Sequence, residues 1–360
     1  MDWEVAYVLP SLKIRKAYES SLIAIAPYDD ERVQDICKQY PNANKLLNCF
    51  IDNCGSKIEP AVLIVNIKAP ESVWANEALV SFRNIVALSV ILKGWADIRP
   101  QGTPLSPLFS NTFDFYPIVL GKNGGLIYQT PALTSYYSEE ATFVGMPNNY
   151  VPQNSYFIPV YDTIIFNRLL KLWYQRFVSP GKNNFNSRKV FRSIETAYHA
   201  LSVPVKNQTT LFDLGVNISL WVSSFEILAH PKNATVNQTA VIDLIGKYNW
   251  NERILKTRRY RARLSKTKII SVNLIQKLYK ELYDTRNSFL HGNEVTSKNL
   301  FPFGDKRYGQ IWTFAPIVYR TALFVFLNDL FPIRKESGFN FGEFAYEKCL
   351  LQLTREKDTN

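Results

Sequence analysis

The stretch Val272-Asn273-Leu274-Ile275-Gln276-Lys277-Leu278-Tyr279-Lys280-Glu281-Leu282-Tyr283-Asp284-Thr285-Arg286-Asn287-Ser288-Phe289-Leu290-His291-Gly292 decides how the chain is read. Ile275, Leu278, Leu282 and Phe289 recur at spacings of three, four and seven, which puts them on one apolar stripe. The spacing predicts a helix from Val272 to Leu290, and Gly292 supplies the stop after His291. Arg286 follows Leu282 by four residues and so falls on the edge of the stripe. A guanidinium there needs an acidic or phosphate partner to offset its desolvation. The helix therefore ends in a guanidinium, a short polar residue (Asn287) and an imidazole, a group able to take and return a proton. Such a set can polarise a phosphodiester, hold developing charge and move a proton.

Helical geometry limits how these groups cooperate. Five residues at 100° each carry His291 about 140° around an ideal helix from Arg286. Convergence requires a distorted last turn, or a second copy of the segment brought in by a two-fold axis.

Outward from this segment, apolar periodicity predicts helices over Thr163–Phe177, Arg188–Leu201, Phe212–Ala229 and Ile311–Phe331. Five helices, with a long loop between the third and fourth, predict an all-α bundle over residues 161–350. A polar tail, 351–360, follows. Residues 1–160 mix patterns: a strand over Glu59–Ile67, a helix over Val73–Lys93, and a hairpin in which Tyr116–Leu120 and Leu126–Thr130 flank Gly121-Lys122-Asn123-Gly124-Gly125. The Pro/Asn-rich stretch Asn148–Asn154 reads as the connector between the halves. The expected class is α+β, a mixed α/β domain of no assigned function followed by a helical domain.

Charge divides along the same line. Residues 1–165 carry 12 Lys/Arg against 16 Asp/Glu, and residues 166–360 carry 30 against 15, which together give the net +11. The half with the Arg-His segment is the basic one, as expected for a phosphate-rich partner. Its strongest cluster is Arg253, Lys256, Arg258, Arg259, Arg261, Arg263, Lys266 and Lys268, with Trp250 and Tyr260 interleaved and only Glu252 opposing. Cations neutralise phosphates and aromatics stack on unpaired bases; a solvated surface is the plainer reading of the same run.

Cys37, Cys49, Cys54 and Cys349 lack the paired spacing of a zinc site and read as reduced thiols, so no metal and no cofactor is expected. The start, Met1-Asp2-Trp3-Glu4, lacks the positive end of a signal peptide. The apolar stretch Ala78–Leu92 is interrupted by Arg83-Asn84 and reads as too short to span a bilayer. A cytoplasmic location with no membrane contact is the expectation.

Arg286-Asn287-Ser288-Phe289-Leu290-His291 resembles the Arg-(polar)-x-x-x-His motif of HEPN-domain ribonucleases. The likeness covers about residues 165–350 and extends to the ApeA-like group of bacterial antiviral HEPN proteins. Trp221-Val222-Ser223-Ser224-Phe225-Glu226 on the preceding apolar helix and Ile317-Val318-Tyr319-Arg320-Thr321-Ala322-Leu323 on the following one add to it. The resemblance implies a helical bundle that dimerises along the Arg-His helix and cleaves RNA without metal, with Arg286, Asn287 and His291 as catalytic residues. Asn293 stands where certain toxin–antitoxin relatives carry a modified tyrosine, so that modification has no counterpart here. Glu226, in an otherwise apolar turn, either orients Arg286 through a salt bridge or points to water. His230 reads as a helix-end residue, and His199 as packed among Phe191, Ile194 and Tyr198.

The combined expectation is a homodimeric, metal-independent endoribonuclease of antiviral defence, with RNA as substrate and a phage-derived trigger. The alternative is a non-catalytic HEPN module that binds RNA or a partner protein. A toxin silenced by a neighbouring antitoxin is a third possibility.

Overall fold

The computed structural model describes residues 2–52, 55–98, 109–121, 124–129, 134–137, 160–179, 185–203, 210–233, 235–332 and 341–354. The connector at 148–154, Cys54 and the polar tail beyond Thr354 lie outside the described residues. The chain is α+β, and its contacts group it into two units.

The first unit draws on residues 1–87, 108–159 and 177–180. Strands β1 (Trp3–Leu9), β2 (Tyr18–Glu19), β3 (Ile23–Ala26) and β4 (Ala61–Asn66) form an antiparallel sheet in the order β1-β4-β3-β2. The predicted strand at 59–67 is thus the central β4, and its continuous apolar run matches a strand buried along nearly its whole length. Helices α1 (Glu31–Gln39) and α2 (Pro41–Asn48) pack Val33, Ile36, Leu46 and Leu47 against Val5, Val8, Val62 and Ile64. The predicted hairpin is present as β5 (Ile118–Leu120) and β6 (Leu126–Gln129), with β7 (Thr134–Tyr137) added at its edge.

A four-residue turn, α3 (Glu71–Trp74), precedes α4 (Asn76–Ile98). Helix α4 is longer than the predicted 73–93 and gives its first half to the first unit and its second half to the second. The helical unit therefore takes in residues 88–98, upstream of the boundary read at 160/161. The estimate that Ala78–Leu92 is too short for a bilayer also changes: by length and composition α4 could cross one, as could Leu211–Ala229 and Ile311–Leu330. Arg83 and Asn84 lie inside the continuous helix, where Arg83 donates to Asn84 Oδ1 and lies over the Phe115 ring. Buried residues make up 83%, 44% and 78% of the three segments, so the middle one leaves most of its length partly open.

The helical unit is built from α5 (Thr163–Trp173), α6 (Phe185–Ala200), α7 (Leu211–Ala229), α8 (Gln238–Gly246), α9 (Arg253–Thr257), β8 (Tyr260–Arg263), β9 (Ile269–Val272), α10 (Leu274–Leu290), α11 (Ser297–Leu300), α12 (Ala315–Leu330) and α13 (Phe341–Leu351). Helix α7 is its centre and touches α6, α8, α10 and α12. Trp221 and Phe225 pack on Tyr319, and Phe225 also meets Tyr279 edge-on with centroids 5.2 Å apart. Buried Ser193 ties three helices together, donating to the Ser224 carbonyl and sharing a hydrogen bond with Tyr319. Asp162 caps α5 and forms a buried ion pair with Arg320 at 2.9 Å, where Tyr346 adds a third hydrogen bond.

Two readings of this region are corrected. The predicted long loop between the third and fourth helices holds α8, α9 and a β-hairpin. Val272 belongs to that hairpin, paired with Tyr260, and the helix begins only at Leu274. The β-branched run Ile269-Ile270-Ser271-Val272 favours a strand, and Asn273 closes it with a reciprocal capping box to Gln276.

Candidate functional site

The C-terminal end of α10 forms as its sequence predicts. Gly292 adopts φ +67, a conformation that costs glycine little, and the Asn293 N–H returns to the Ser288 carbonyl at 3.0 Å. His291 caps the helix with φ −95 and ψ 7 and is exposed. The last turn is regular rather than distorted. Among the described residues no hydrogen bond joins Arg286 to His291, which lie about 7.5 Å apart along the axis.

Arg286 faces the other way. Its Nη2 donates to Glu226 Oε2 at 3.1 Å and its Nη1 to Asn287 Oδ1 at 3.0 Å, while its guanidinium lies 5.4 Å over the Tyr283 ring. Of the two roles open to Glu226, the structure therefore has the salt bridge. The register of the helices explains it. Gly215 abuts Phe289 and Phe225 meets Tyr279, pairs ten residues apart in both helices but in opposite directions, so α7 and α10 are antiparallel. Helical side chains lean toward their own N-terminus, so in an antiparallel pair Arg286 and Glu226 lean toward each other. The close approach depends on Gly215, since a methyl group there would sit within 3 Å of the Phe289 ring.

Burial pushes the Glu226 carboxyl above its ordinary value, and the charge of Arg286 only partly opposes this. Burial also raises the Tyr279 phenol far above its usual value, and the nearby Glu226 carboxylate adds to the effect. Both the Tyr279 hydroxyl and Arg286 Nε are buried and lack a hydrogen-bond partner among the described residues. Sequence reasoning missed Tyr279 and Tyr283. Their positions seven and three residues before Arg286, on the same helical face, were the available signal.

The antiparallel pairing also brings the start of α7 to the end of α10. Leu290 is 60% exposed and Phe212 is 75% exposed, with Leu211 beside it. Large apolar side chains thus remain in water at the end of the helix pair that carries His291.

The other two histidines divide. His230 caps the end of α7 as expected, and its carbonyl accepts from Lys189 Nζ at 3.1 Å. His199 is a correction: it is exposed, with the Tyr198 ring perpendicular to it at 6.1 Å between centroids, while Phe191, Ile194 and Tyr198 are buried.

The basic run occupies α9 and the β8–β9 hairpin. Glu347, fully buried, anchors the start of α9 by accepting the backbone N–H groups of Asn251 and Glu252 and the Asn251 side chain. Arg253, Lys256, Arg259, Arg261, Arg263, Lys266 and Lys268 are exposed. Arg261 and Arg263 alternate with buried Ala262, so they share the outer face of the hairpin. Two members of the predicted set are corrected. Arg258 is half-buried and donates to the Thr354 carbonyl, so it is a tether rather than a free cation. Trp250 is only 7% exposed and packs on Tyr248, so it is not available for stacking.

Replacing Arg259, Arg261 and Arg263 together by Glu should leave the fold intact, because exposed charges add little to stability. If the run contacts single-stranded RNA, the slope of log K against log salt should fall in magnitude by about 2, at about 0.7 per phosphate. Filter binding over a salt series measures it, and an unchanged slope would make the run a surface without phosphate contacts.

Cys37 and Cys49 are part-buried and Cys349 is buried, and the Cys49 and Cys349 thiols donate to the Leu46 and Tyr346 carbonyls. Among the described residues no group of three or more His, Cys, Asp or Glu is placed to hold a metal ion. No protein-family model matches the chain, and no curated protein and no solved structure matches it.

Proposed function

We propose that the chain is a metal-independent endoribonuclease of the HEPN type, acting in antiviral defence, whose cleft is completed by a second copy. The observation that carries this reading is the end of α10. Glu226 and Asn287 hold Arg286, whose buried Nε has no hydrogen-bond partner among the described residues, and exposed His291 sits among exposed apolar residues. In the reaction the RNA 2′-oxygen attacks phosphorus and the 5′-oxygen leaves, giving a 2′,3′-cyclic phosphate. His291 takes or returns the proton, Arg286 stabilises the phosphorane, and Asn287 orients the arginine.

Because Arg286 leans away from His291 within one chain, the cooperating pair comes from two chains. Mixing inactive Arg286→Lys and His291→Ala proteins should then restore cleavage, since one mixed site keeps both native groups. A strict monomer by light scattering that is fully active at nanomolar dilution would overturn the reading. One observation favours a second reading, RNA binding without cleavage: Arg286 is already engaged by Glu226 and Asn287. Under that reading the protein binds RNA and leaves it intact, with or without His291.

A further inference from the structure

We propose that Phe303, Tyr260 and Tyr308 form a stacking site for an unpaired base of single-stranded nucleic acid, a proposal that rests on the RNA reading and adds a base-recognition subsite to it. Phe303 lies 5.5 Å from the Tyr260 ring with planes only 11° apart, and its edge relation to Tyr308 has centroids 6.0 Å apart. A phenylalanine in this setting would ordinarily be covered, yet Phe303 is 36% exposed.

Its backbone is also unusual. With φ +57 it is the only non-glycine residue in the left-handed region among the described residues. A bulky residue there is strained and stays only where its surroundings fix it. Glu281 does so, accepting the Phe303 N–H at 3.1 Å while Lys277 pairs with the same carboxylate. The strain therefore serves to hold an aromatic ring out toward water.

The surroundings select the occupant. Arg258, tied to the Thr354 carbonyl, lies 5.9 Å over the Tyr260 ring, and Arg307, 56% exposed and paired with Asp305, lies 5.7 Å over that of Tyr308. Arg261 and Arg263 line the opposite face of the same hairpin strand as Tyr260. Stacked aromatics at a hairpin whose exposed cations, Arg261 and Arg263, can neutralise phosphates suit a flexible polyanion carrying planar bases, and base–aromatic stacking tolerates any base sequence. The site is also indexed to the candidate catalytic end. Glu281 and His291 are ten residues apart on α10, about 15 Å along the axis and about 80° around it. A strand held on Phe303 would thus meet the end of α10 at a fixed distance.

The test compares two probes at one salt concentration by fluorescence anisotropy on the full chain: a 12-mer of oligodeoxyuridine, which has no 2′-hydroxyl and is not consumed, and an abasic 12-mer of the same charge. The wild type should bind the base-carrying strand about tenfold or more tightly, from about 1–3 kcal/mol per stacked base. Phe303→Leu should abolish that preference while keeping the abasic affinity and its salt slope. Phe303→Trp should keep the preference, which separates stacking from loss of fold. Equal binding of both probes by the wild type would overturn the stacking site and leave backbone binding standing. Binding of neither would remove the RNA reading and this site with it. A preference that survives Phe303→Leu would overturn the stacking site alone.

Discussion

His291→Ala should lower RNA cleavage by about 10²–10⁴-fold, the range for removal of a positioned acid or base. It should do so without changing stability. His291 is exposed, and its backbone rather than its ring closes the helix. A surface substitution of this kind stays within about 0.5 kcal/mol. Arg286 needs a gentler replacement, because alanine would strand the part-buried Glu226 carboxylate. Arg286→Lys keeps the charge but loses the planar fork that serves Glu226, Asn287 and a phosphate together. Cleavage should fall steeply for this variant too, and in both cases the parent should remain active in EDTA and leave cyclic phosphate ends. Purified His291→Ala that cuts RNA as fast as the parent would sink the mechanism, as would loss of cutting in EDTA.

The second large effect is on folding. Arg320→Met should destabilise the helical unit by about 3–5 kcal/mol, the usual result of removing one partner from a buried pair. Arg320 is 1% and Asp162 6% exposed, so the orphaned carboxylate has no water to turn to. Burial alone would raise the Asp162 carboxyl. The Arg320 charge, with hydrogen bonds from Ile165, Arg320 and Tyr346, more than reverses that and leaves it below its ordinary value of 3.8. A carboxyl depressed in the folded state contributes stability that is fully present above its unfolded value and lost as pH falls through the folded one. Parent stability should therefore decline below about pH 4 through this group, and Arg320→Met should lose that part of the acid dependence. Denaturant titration across pH measures both. A variant as stable as the parent at pH 7 would show that the pair contributes nothing.

The fold was readable where one physical signal dominated. The apolar run of β4, the Gly-rich turn before Leu126, and the stripe Ile275-Leu278-Leu282 each had one strong period or turn former and produced the expected element. Helix α8 was missed because its apolar cluster Val241-Ile242-x-Leu244-Ile245 spans barely two turns. The hairpin was hidden by its own charge: Arg261 and Arg263 look like a solvated run until Ala262 between them is seen to be buried. At the candidate site, the partnership of Arg286 and Glu226 was one of two readings that local sequence allowed. Only the antiparallel register of two helices, sixty residues apart in the chain, decides between them.

The lean of Arg286 toward its own helix start has a consequence for control. Under the proposed mechanism one chain holds only half of a working pair, so the number of competent sites rises with the square of chain concentration while the chains are mostly apart. Abundance itself then becomes a threshold: a low basal level is silent toward cellular RNA, and a few-fold rise in synthesis, or any ligand that gathers chains together, switches cutting on without changing a single residue's chemistry.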